Sequence, residues 1–214
     1  MAKEPEYYRR NMPHWQPADG VYHLVMRLHG SLPKNVIDCL QKQYHERTKE
    51  LEQAGYDESE REMLLRQERE FYFGKFDHLL DTGNTGPKWL RDERIAVIVQ
   101  DCFLYWHEEK RFKLVALTVM PNHVHIILYK IQRPLFRILQ TIKTYTAKQA
   151  NEILSQHGQH FWHRETYDHL IRDRGEFGNQ VRYVVRNPVE AGLVRDWERW
   201  DFTWLNPEFR NAVC

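Results

Sequence analysis

The 214-residue sequence is poor in cysteine and lacks a long hydrophobic run. Its three cysteines, Cys39, Cys102 and Cys214, lie far apart and form no CxxC pair, which disfavours both a disulfide framework and an oxidising compartment. A membrane-spanning helix needs about 20 consecutive apolar residues, and the stretch 1–15 is too polar for a secretory signal. We therefore expect a soluble, cytoplasmic protein without a membrane partner.

An excess of charge of one sign is also missing. The chain has 31 basic and 30 acidic residues, for a formal net charge of +1, so no global field attracts a polyanion. Any nucleic acid must then be bound by local basic patches. Because 42% of the residues are hydrophobic, the chain can build a real core, and its length predicts a single domain over residues 1–214.

Hydrophobic patterning predicts an α+β fold. Strand-like runs occupy 21–30, 112–119, 123–130 and the second half of 160–173, whereas helical spacing covers 31–55, 57–80, 92–111, 133–156 and 176–187. Leaving out helical material at about 45–85 gives a ferredoxin-like, split β-α-β-β-α-β sheet. A C-terminal helical extension follows, which we predict to stop at Pro188. The insertion at 45–85 comes after the first strand, and its excess of acidic residues favours packing or self-association over DNA contact.

Two histidines occur one residue apart in the stretch MPNHVHIILY, residues 120–129. On a strand, His123 and His125 project to one face and Val124 to the other, so both imidazoles can converge on one ion. A divalent ion needs further ligands. A histidine on a strand is more often a buried polar group than a ligand, so the pair by itself leaves both interpretations open.

The helix predicted at 133–156 supplies a possible answer. Apolar residues from Leu135 to Ile142 recur at three- and four-residue steps and mark a buried stripe. Continuing from Ile142 by three and then four residues reaches Tyr145 and Gln149, which lie one turn apart. We therefore expect both side chains to face the sheet and the histidine pair.

This arrangement has a chemical interpretation. His123, His125 and the Gln149 carbonyl oxygen could hold a divalent ion that polarises a phosphate, with Tyr145 beside it as a nucleophile. That combination is suited to tyrosine-mediated DNA cleavage. The alternative is that Tyr145 is a core tyrosine and Gln149 an ordinary helix residue.

The sequence closely resembles the REP-associated tyrosine transposases, relatives of the single-tyrosine insertion-sequence transposases within the HUH endonucleases. The stretches that carry the resemblance are RRNMPHWQP, VMPNHVHIILY, TIKTYTAKQ, FWHRETYDHLIRD and YVVRNPVEAGLV. They occur in the family's order and span most of the chain.

The resemblance implies that His123 and His125 bind Mg²⁺ or Mn²⁺ and that Gln149 completes the metal shell. It also implies that Tyr145 forms a 5′-phosphotyrosine link and leaves a free 3′-hydroxyl. The expected partner is single-stranded DNA folded into hairpins, at repetitive extragenic palindromes, in a nucleoid-associated enzyme. A monomer and a homodimer, in which the tyrosine helix serves the partner subunit, are both compatible with the family.

Basic and aromatic residues that could contact single-stranded DNA are spread along the chain. Arginine and lysine neutralise phosphates, and aromatic rings stack on unpaired bases. We predict a DNA-binding role for Arg9, Arg10, Trp15, Lys143, Lys148, Trp162, Arg164, Arg172, Arg174, Arg182 and Arg186. Taken singly, each is more often a solvated charge or a core ring.

Two rival functions remain. The first is a domesticated, non-catalytic protein that binds hairpin DNA without cutting it. The second is a zinc hydrolase built on His123 and His125, which is less favoured because no third histidine or Asp-His pair follows at helical spacing.

Overall fold

The computed structural model describes residues 7–9, 13–15, 19–83 and 85–213, with the side chains of 7–9 and 13–15 excluded. Its strands are β1 (Tyr7–Arg9), β2 (Pro13–Trp15), β3 (Val21–Arg27), β4 (Lys113–Val119), β5 (His123–Tyr129), β6 (Tyr167–Ile171) and β7 (Thr203–Leu205). Its α-helices are α1 (Lys34–Gln53), α2 (Glu58–Thr82), α3 (Glu93–Glu108), α4 (Leu135–Ile153) and α5 (Arg174–Glu190). Short 3-10 helices lie at Trp89–Arg91, Trp197–Arg199 and Pro207–Ala212.

The central sheet has the strand order β6-β3-β5-β4-β7, and every neighbouring pair is antiparallel. Numbered along the chain, the first four of these strands are arranged 4-1-3-2. This confirms the predicted α+β, split β-α-β-β-α-β fold. The fifth strand, β7, was missed because its three residues are too few to show alternation. Separately, β1 and β2 form a two-stranded antiparallel ribbon.

The two faces of the sheet are covered by different helices. One face presents large apolar side chains such as Leu24, Met26, Val124 and Ile126, which share a hydrophobic core with residues of α3 and α4. The opposite face packs against α5, through Val181 and other apolar residues. Because neighbours along a strand alternate, His123 and His125 lie on the α5 face.

Helix α4 buries a stripe that differs from the predicted one. Beyond Ile142, the buried residues of α4 are Thr146, Ala150 and Asn151. Thr146 and Ala150 each lie one position later than Tyr145 and Gln149. Thr146 can be buried because its hydroxyl is satisfied: Oγ1 donates to the Ile142 carbonyl at 2.8 Å and accepts from Trp162 Nε1 at 2.8 Å. The prediction that Tyr145 and Gln149 continue the stripe is therefore wrong.

Helix α5 continues through Pro188 to Glu190, two residues beyond the predicted stop. Proline has no N–H, so it cannot bond to the carbonyl four residues earlier, which belongs to Val184. That carbonyl instead accepts a hydrogen bond from Thr118 Oγ1 of β4 at 2.9 Å. The lost helical bond is thus replaced by a bond to the sheet, and the chain leaves the helix at Gly192 with φ of +70°.

Residues 30–87 form a compact helical unit of their own. Asp57 caps the N-terminus of α2 by accepting from the Glu60 N–H at 2.9 Å. Tyr44 of α1 and Tyr72 of α2 lie against each other, with ring centroids 4.8 Å apart. Both predicted helices are confirmed, and the range 45–85 lies within this unit.

The bond between Trp162 and Thr146 should be measurable in stability. Replacing either partner (Trp162→Phe or Thr146→Val) removes one buried hydrogen bond, and we expect a coupling of about 1 kcal/mol between the two substitutions. Urea unfolding of the wild type, both single variants and the double variant measures that coupling. Additive effects would show that the bond contributes nothing.

Candidate metal centre and nucleophile

His123 and His125 are fully buried side by side on β5. Their ring centroids are 4.7 Å apart, with the ring planes nearly perpendicular. Their Nε2 atoms approach each other to 2.9 Å. Two ligands at right angles on an ion with bonds of about 2.1 Å are separated by ~3 Å, so this spacing suits a shared divalent ion.

Hydrogen bonds at the other ring nitrogen orient both imidazoles. His123 Nδ1 lies 2.7 Å from Asn122 Oδ1, and His125 Nδ1 lies 3.0 Å from His23 Nε2. His23 Nδ1 in turn lies 2.7 Å from Gln180 Oε1. An amide oxygen only accepts hydrogen bonds, so each chain of bonds puts the proton on Nδ1 of His123 and His125.

Burial keeps both imidazoles of the pair in their neutral form. Burial, reinforced by the charge of the neighbouring His23, lowers the pKa of His123 to about 3, and burial lowers the pKa of His125 well below its ordinary value. Both rings are therefore neutral at pH 7, and the tautomers place a lone pair on each Nε2. A neutral imidazole with a lone pair on Nε2 is the form of histidine that binds a metal ion. The donor set therefore fits a divalent metal.

Helix α5 places a tyrosine beside this pair. The Tyr183 ring centroid is 5.6 Å from that of His125 and 6.0 Å from that of His23. Gln180 lies one turn earlier on the same helix face, and Asn187 one turn later. Asn187 is fully buried. A phenol and an amide four residues apart thus lie on the helix that covers the histidine face.

Tyr145 and Gln149 are placed elsewhere. Their helix, α4, packs on the opposite face of the sheet from His123 and His125, and Tyr145 is 53% exposed. Within this chain, the structure does not bring them to the histidine pair, contrary to the expected placement of both side chains. The four-residue spacing of a tyrosine and an amide occurs a second time in the chain, at Tyr183 and Asn187.

Two sequence signals could have located the site correctly. His23 is a polar residue within the apolar strand β3, and alternation puts it on the same face as Val25 and Arg27. The histidines of β5 form the same pattern. In addition, right-handed β-α-β crossovers bring α3 and α4 to one face of the sheet. That face must be the apolar one, which contains Val124 rather than the histidines.

A buried arginine lies next to the neutral histidine pair. Arg27 is 4% exposed and lies directly across from His123 in the register of β3 and β5. Burial, together with the charges of Arg27 and Lys143, lowers the pKa of His163 to about 4. Basic side chains therefore concentrate at this end of the sheet.

The predicted DNA contacts separate into three groups. Three of these side chains have structural roles: Trp162 is buried and bonded to Thr146, Lys143 Nζ donates to the carbonyls of residues 163–165, and Arg182 donates to the Ala212 carbonyl and to Asn179. The stacking role predicted for Trp162 is therefore wrong, because its ring lies in the core. The exposed candidates are Lys148, Arg164, Arg172, Arg174 and Arg186. Arg10, and the side chains of Arg9 and Trp15, lie outside the described residues.

The metal-free protein should lose stability in acid. The folded-state pKa of His23 and of His123 is about 3, below the ordinary 6.5, and that of His125 is lowered too. As the pH falls below about 6.5, the unfolded chain binds protons that the folded chain excludes, so the free energy of unfolding falls by up to ~1.4 kcal/mol per pH unit for each histidine.

Urea unfolding with a chelator, between about pH 5 and pH 7, measures this slope. A His123→Asn variant should show a shallower dependence on pH, because one buried neutral imidazole is gone. Equal slopes in the variant and the wild type would contradict the assignment.

In the described part of the chain, no helix is both long enough and apolar enough to cross a membrane.

A curated protein of Haemophilus influenzae, assigned to the REP-associated tyrosine transposases, is 28% identical over 117 residues. That alignment covers 50% of this chain and 66% of the relative, so it spans slightly less than two thirds of that protein.

A solved structure has the same fold. It is that of a REP-associated tyrosine transposase bound to a REP hairpin, and it matches with a TM-score of 0.51 and 15% identity. The match covers 92% of this chain and 80% of the other. The resemblance to REP-associated tyrosine transposases inferred from the sequence is confirmed. A family model described as IS200-like transposase matches residues 78–185, which is just over half of the chain and includes His123, His125 and Tyr183, so the chain belongs to the IS200-like transposase family.

Proposed function

We propose that the protein is a metal-dependent transposase that cleaves and rejoins single-stranded hairpin DNA, with Tyr183 as its nucleophile. The observation that carries this proposal is the position of Tyr183. Its ring centroid lies 5.6 Å from that of His125, one of the two buried, neutral histidines. Membership of a transposase family supports the reaction class. The sequence assigned the nucleophile to Tyr145, and the geometry favours Tyr183 instead.

His123 and His125 would hold Mg²⁺ or Mn²⁺ through their Nε2 atoms, and the Asn187 carbonyl oxygen is our candidate for a third ligand. Asn187 replaces Gln149 in this role because it lies one turn from Tyr183 on the helix that covers the histidines. When bound, such an ion supplies Lewis-acid polarisation of a phosphate oxygen. The neutral state of both imidazoles at pH 7 keeps them available as ligands.

The protein's own chemistry is a transesterification at phosphorus. The Tyr183 phenol oxygen forms a bond to the phosphate and loses its proton, while the bond from phosphorus to the 3′ oxygen breaks and that oxygen takes up a proton. The product is a 5′-phosphotyrosine link with a free 3′-hydroxyl. Attack by a 3′-hydroxyl on the same phosphate reverses the sequence and rejoins the strand.

The substrate we propose is a hairpin formed by a repetitive palindrome. Its support comes from the relative assigned to the REP-associated transposases and from the similarly folded protein bound to a REP hairpin. The exposed arginines of this chain, among them Arg164, Arg172 and Arg186, can neutralise phosphates of a single strand. A non-catalytic hairpin-binding protein is the rival that the next experiment separates.

Tyr183→Phe should abolish the covalent protein–DNA adduct while leaving DNA binding intact, because only the phenol oxygen is removed. The assay incubates labelled hairpin DNA with the protein and Mn²⁺ and resolves adducts on a denaturing gel. Tyr145→Phe is the matched control, an exposed tyrosine on the opposite face, and it should retain activity to within about twofold.

The outcomes are distinct. An adduct that survives Tyr183→Phe and disappears with Tyr145→Phe would overturn the assignment and would indicate a tyrosine helix supplied by a partner subunit. Binding of the hairpin by the wild type without any adduct would favour the non-catalytic protein.

His123→Ala should raise the Mn²⁺ concentration needed for half-maximal adduct formation by at least about tenfold, because one of two imidazole ligands is lost. Titration of Mn²⁺ in the adduct assay measures the shift. An unchanged titration curve would show that the ion is not held by this pair.

A further inference from the structure

His23 lies behind the histidine pair, on the neighbouring strand β3, and is fully buried. Its Nε2 is 3.0 Å from His125 Nδ1, and its Nδ1 is 2.7 Å from Gln180 Oε1. The ring centroids of His23 and His125 are 5.2 Å apart. Since its ring nitrogens are directed to His125 and to Gln180, His23 is not placed as a ligand of the ion.

The direction of the hydrogen bonds follows from the amide at one end. Gln180 Oε1 can only accept, so neutral His23 donates from Nδ1 and has its lone pair on Nε2. That lone pair accepts the N–H of His125 Nδ1. Neutral His125 is thereby left with its own lone pair on Nε2, 2.9 Å from His123 Nε2. Each bond determines the tautomer of the next ring.

We propose that Gln180 and His23 form a positioning relay that holds His125 in the tautomer and orientation of a metal ligand. The inference rests on the proposed metal centre and deepens it. Metal-binding histidines are commonly oriented by an acceptor at the second ring nitrogen. Here that acceptor is a third histidine, which is itself oriented from a helix.

The relay also connects the ligand to the nucleophile. Gln180 and Tyr183 lie one turn apart on α5. A rotation or shift of α5 that moves Tyr183 away from the histidines therefore also withdraws Gln180 from His23. The position of the tyrosine helix and the readiness of His125 to bind metal are coupled through one hydrogen bond.

Mn²⁺ binding by the whole 214-residue chain, measured without DNA, tests the relay independently of DNA cleavage. Free Mn²⁺ is measured by electron paramagnetic resonance during titration of the wild type, Gln180→Leu and Gln180→Glu. Loss of an orienting partner typically weakens metal binding by about 10- to 100-fold, and we expect a loss in this range for Gln180→Leu. Gln180→Glu retains an acceptor oxygen and should bind as well as the wild type.

His23→Leu and His23→Gln form a second matched pair. Leucine fills the space without an acceptor and should weaken Mn²⁺ binding, whereas the amide oxygen of glutamine can accept from His125 Nδ1 and should restore it. Circular dichroism confirms that each variant is folded. Mn²⁺ affinities of Gln180→Leu and His23→Leu within twofold of the wild type, while His125→Ala loses binding, would overturn the relay.

The tautomer itself can be read by long-range ¹H–¹⁵N correlation of the imidazoles in metal-free protein. We expect His125 to be protonated on Nδ1 in the wild type and to show a mixture of tautomers in Gln180→Leu. A wild-type His125 protonated on Nε2 would overturn the relay whether or not Mn²⁺ binds. Failure of the wild type to bind Mn²⁺, with the expected tautomer present, would instead refute the proposed metal function and leave the relay standing.

Discussion

The alternation of side chains along β5 is the constraint on which the rest of the structure depends. Val124 and Ile126 point into the main core, and His123 and His125 point to the opposite face. The same strand therefore contributes to the hydrophobic packing that stabilises the sheet and to a pair of buried polar rings. Strands flank β5 on both sides, and helices pack on both faces of the sheet, so the histidines are shielded from water.

Helix α5 determines what that shielded face can do. Its apolar residues pack on the sheet, while Gln180 and Tyr183 lie beside the buried histidines His23 and His125. The helix is anchored to β4 through the bond from Thr118 to the Val184 carbonyl, which is also the carbonyl that Pro188 cannot use. A proline that would ordinarily disrupt a helix thus creates a fixed attachment between the tyrosine helix and the sheet.

Burial and hydrogen bonding together keep the imidazoles of His123 and His125 neutral and in one tautomer. Burial removes the tendency of His123 and His125 to bind protons, and the acceptors Asn122 and His23 hold their protons on Nδ1. The cost is a loss of stability in acid, since the unfolded chain can protonate all of these rings. The same lowered pKa values keep the imidazole lone pairs available at neutral pH, as the proposed metal centre requires.

Local patterns in the sequence determined four of the five strands of the central sheet, the order of those strands and the helices along the chain, and the shared face of His123 and His125. These features depend on periods of two and 3.6 residues. Tertiary structure decided which helix covers that face. Tyr145 and Tyr183 are each followed by an amide residue four positions later. A periodic apolar stripe shows that a helix packs against the protein, but it does not show which face of the sheet the helix covers. The right-handed crossovers place α4 against the apolar side of the sheet, which leaves α5, the helix after the last crossover, to bring Tyr183 to the histidines.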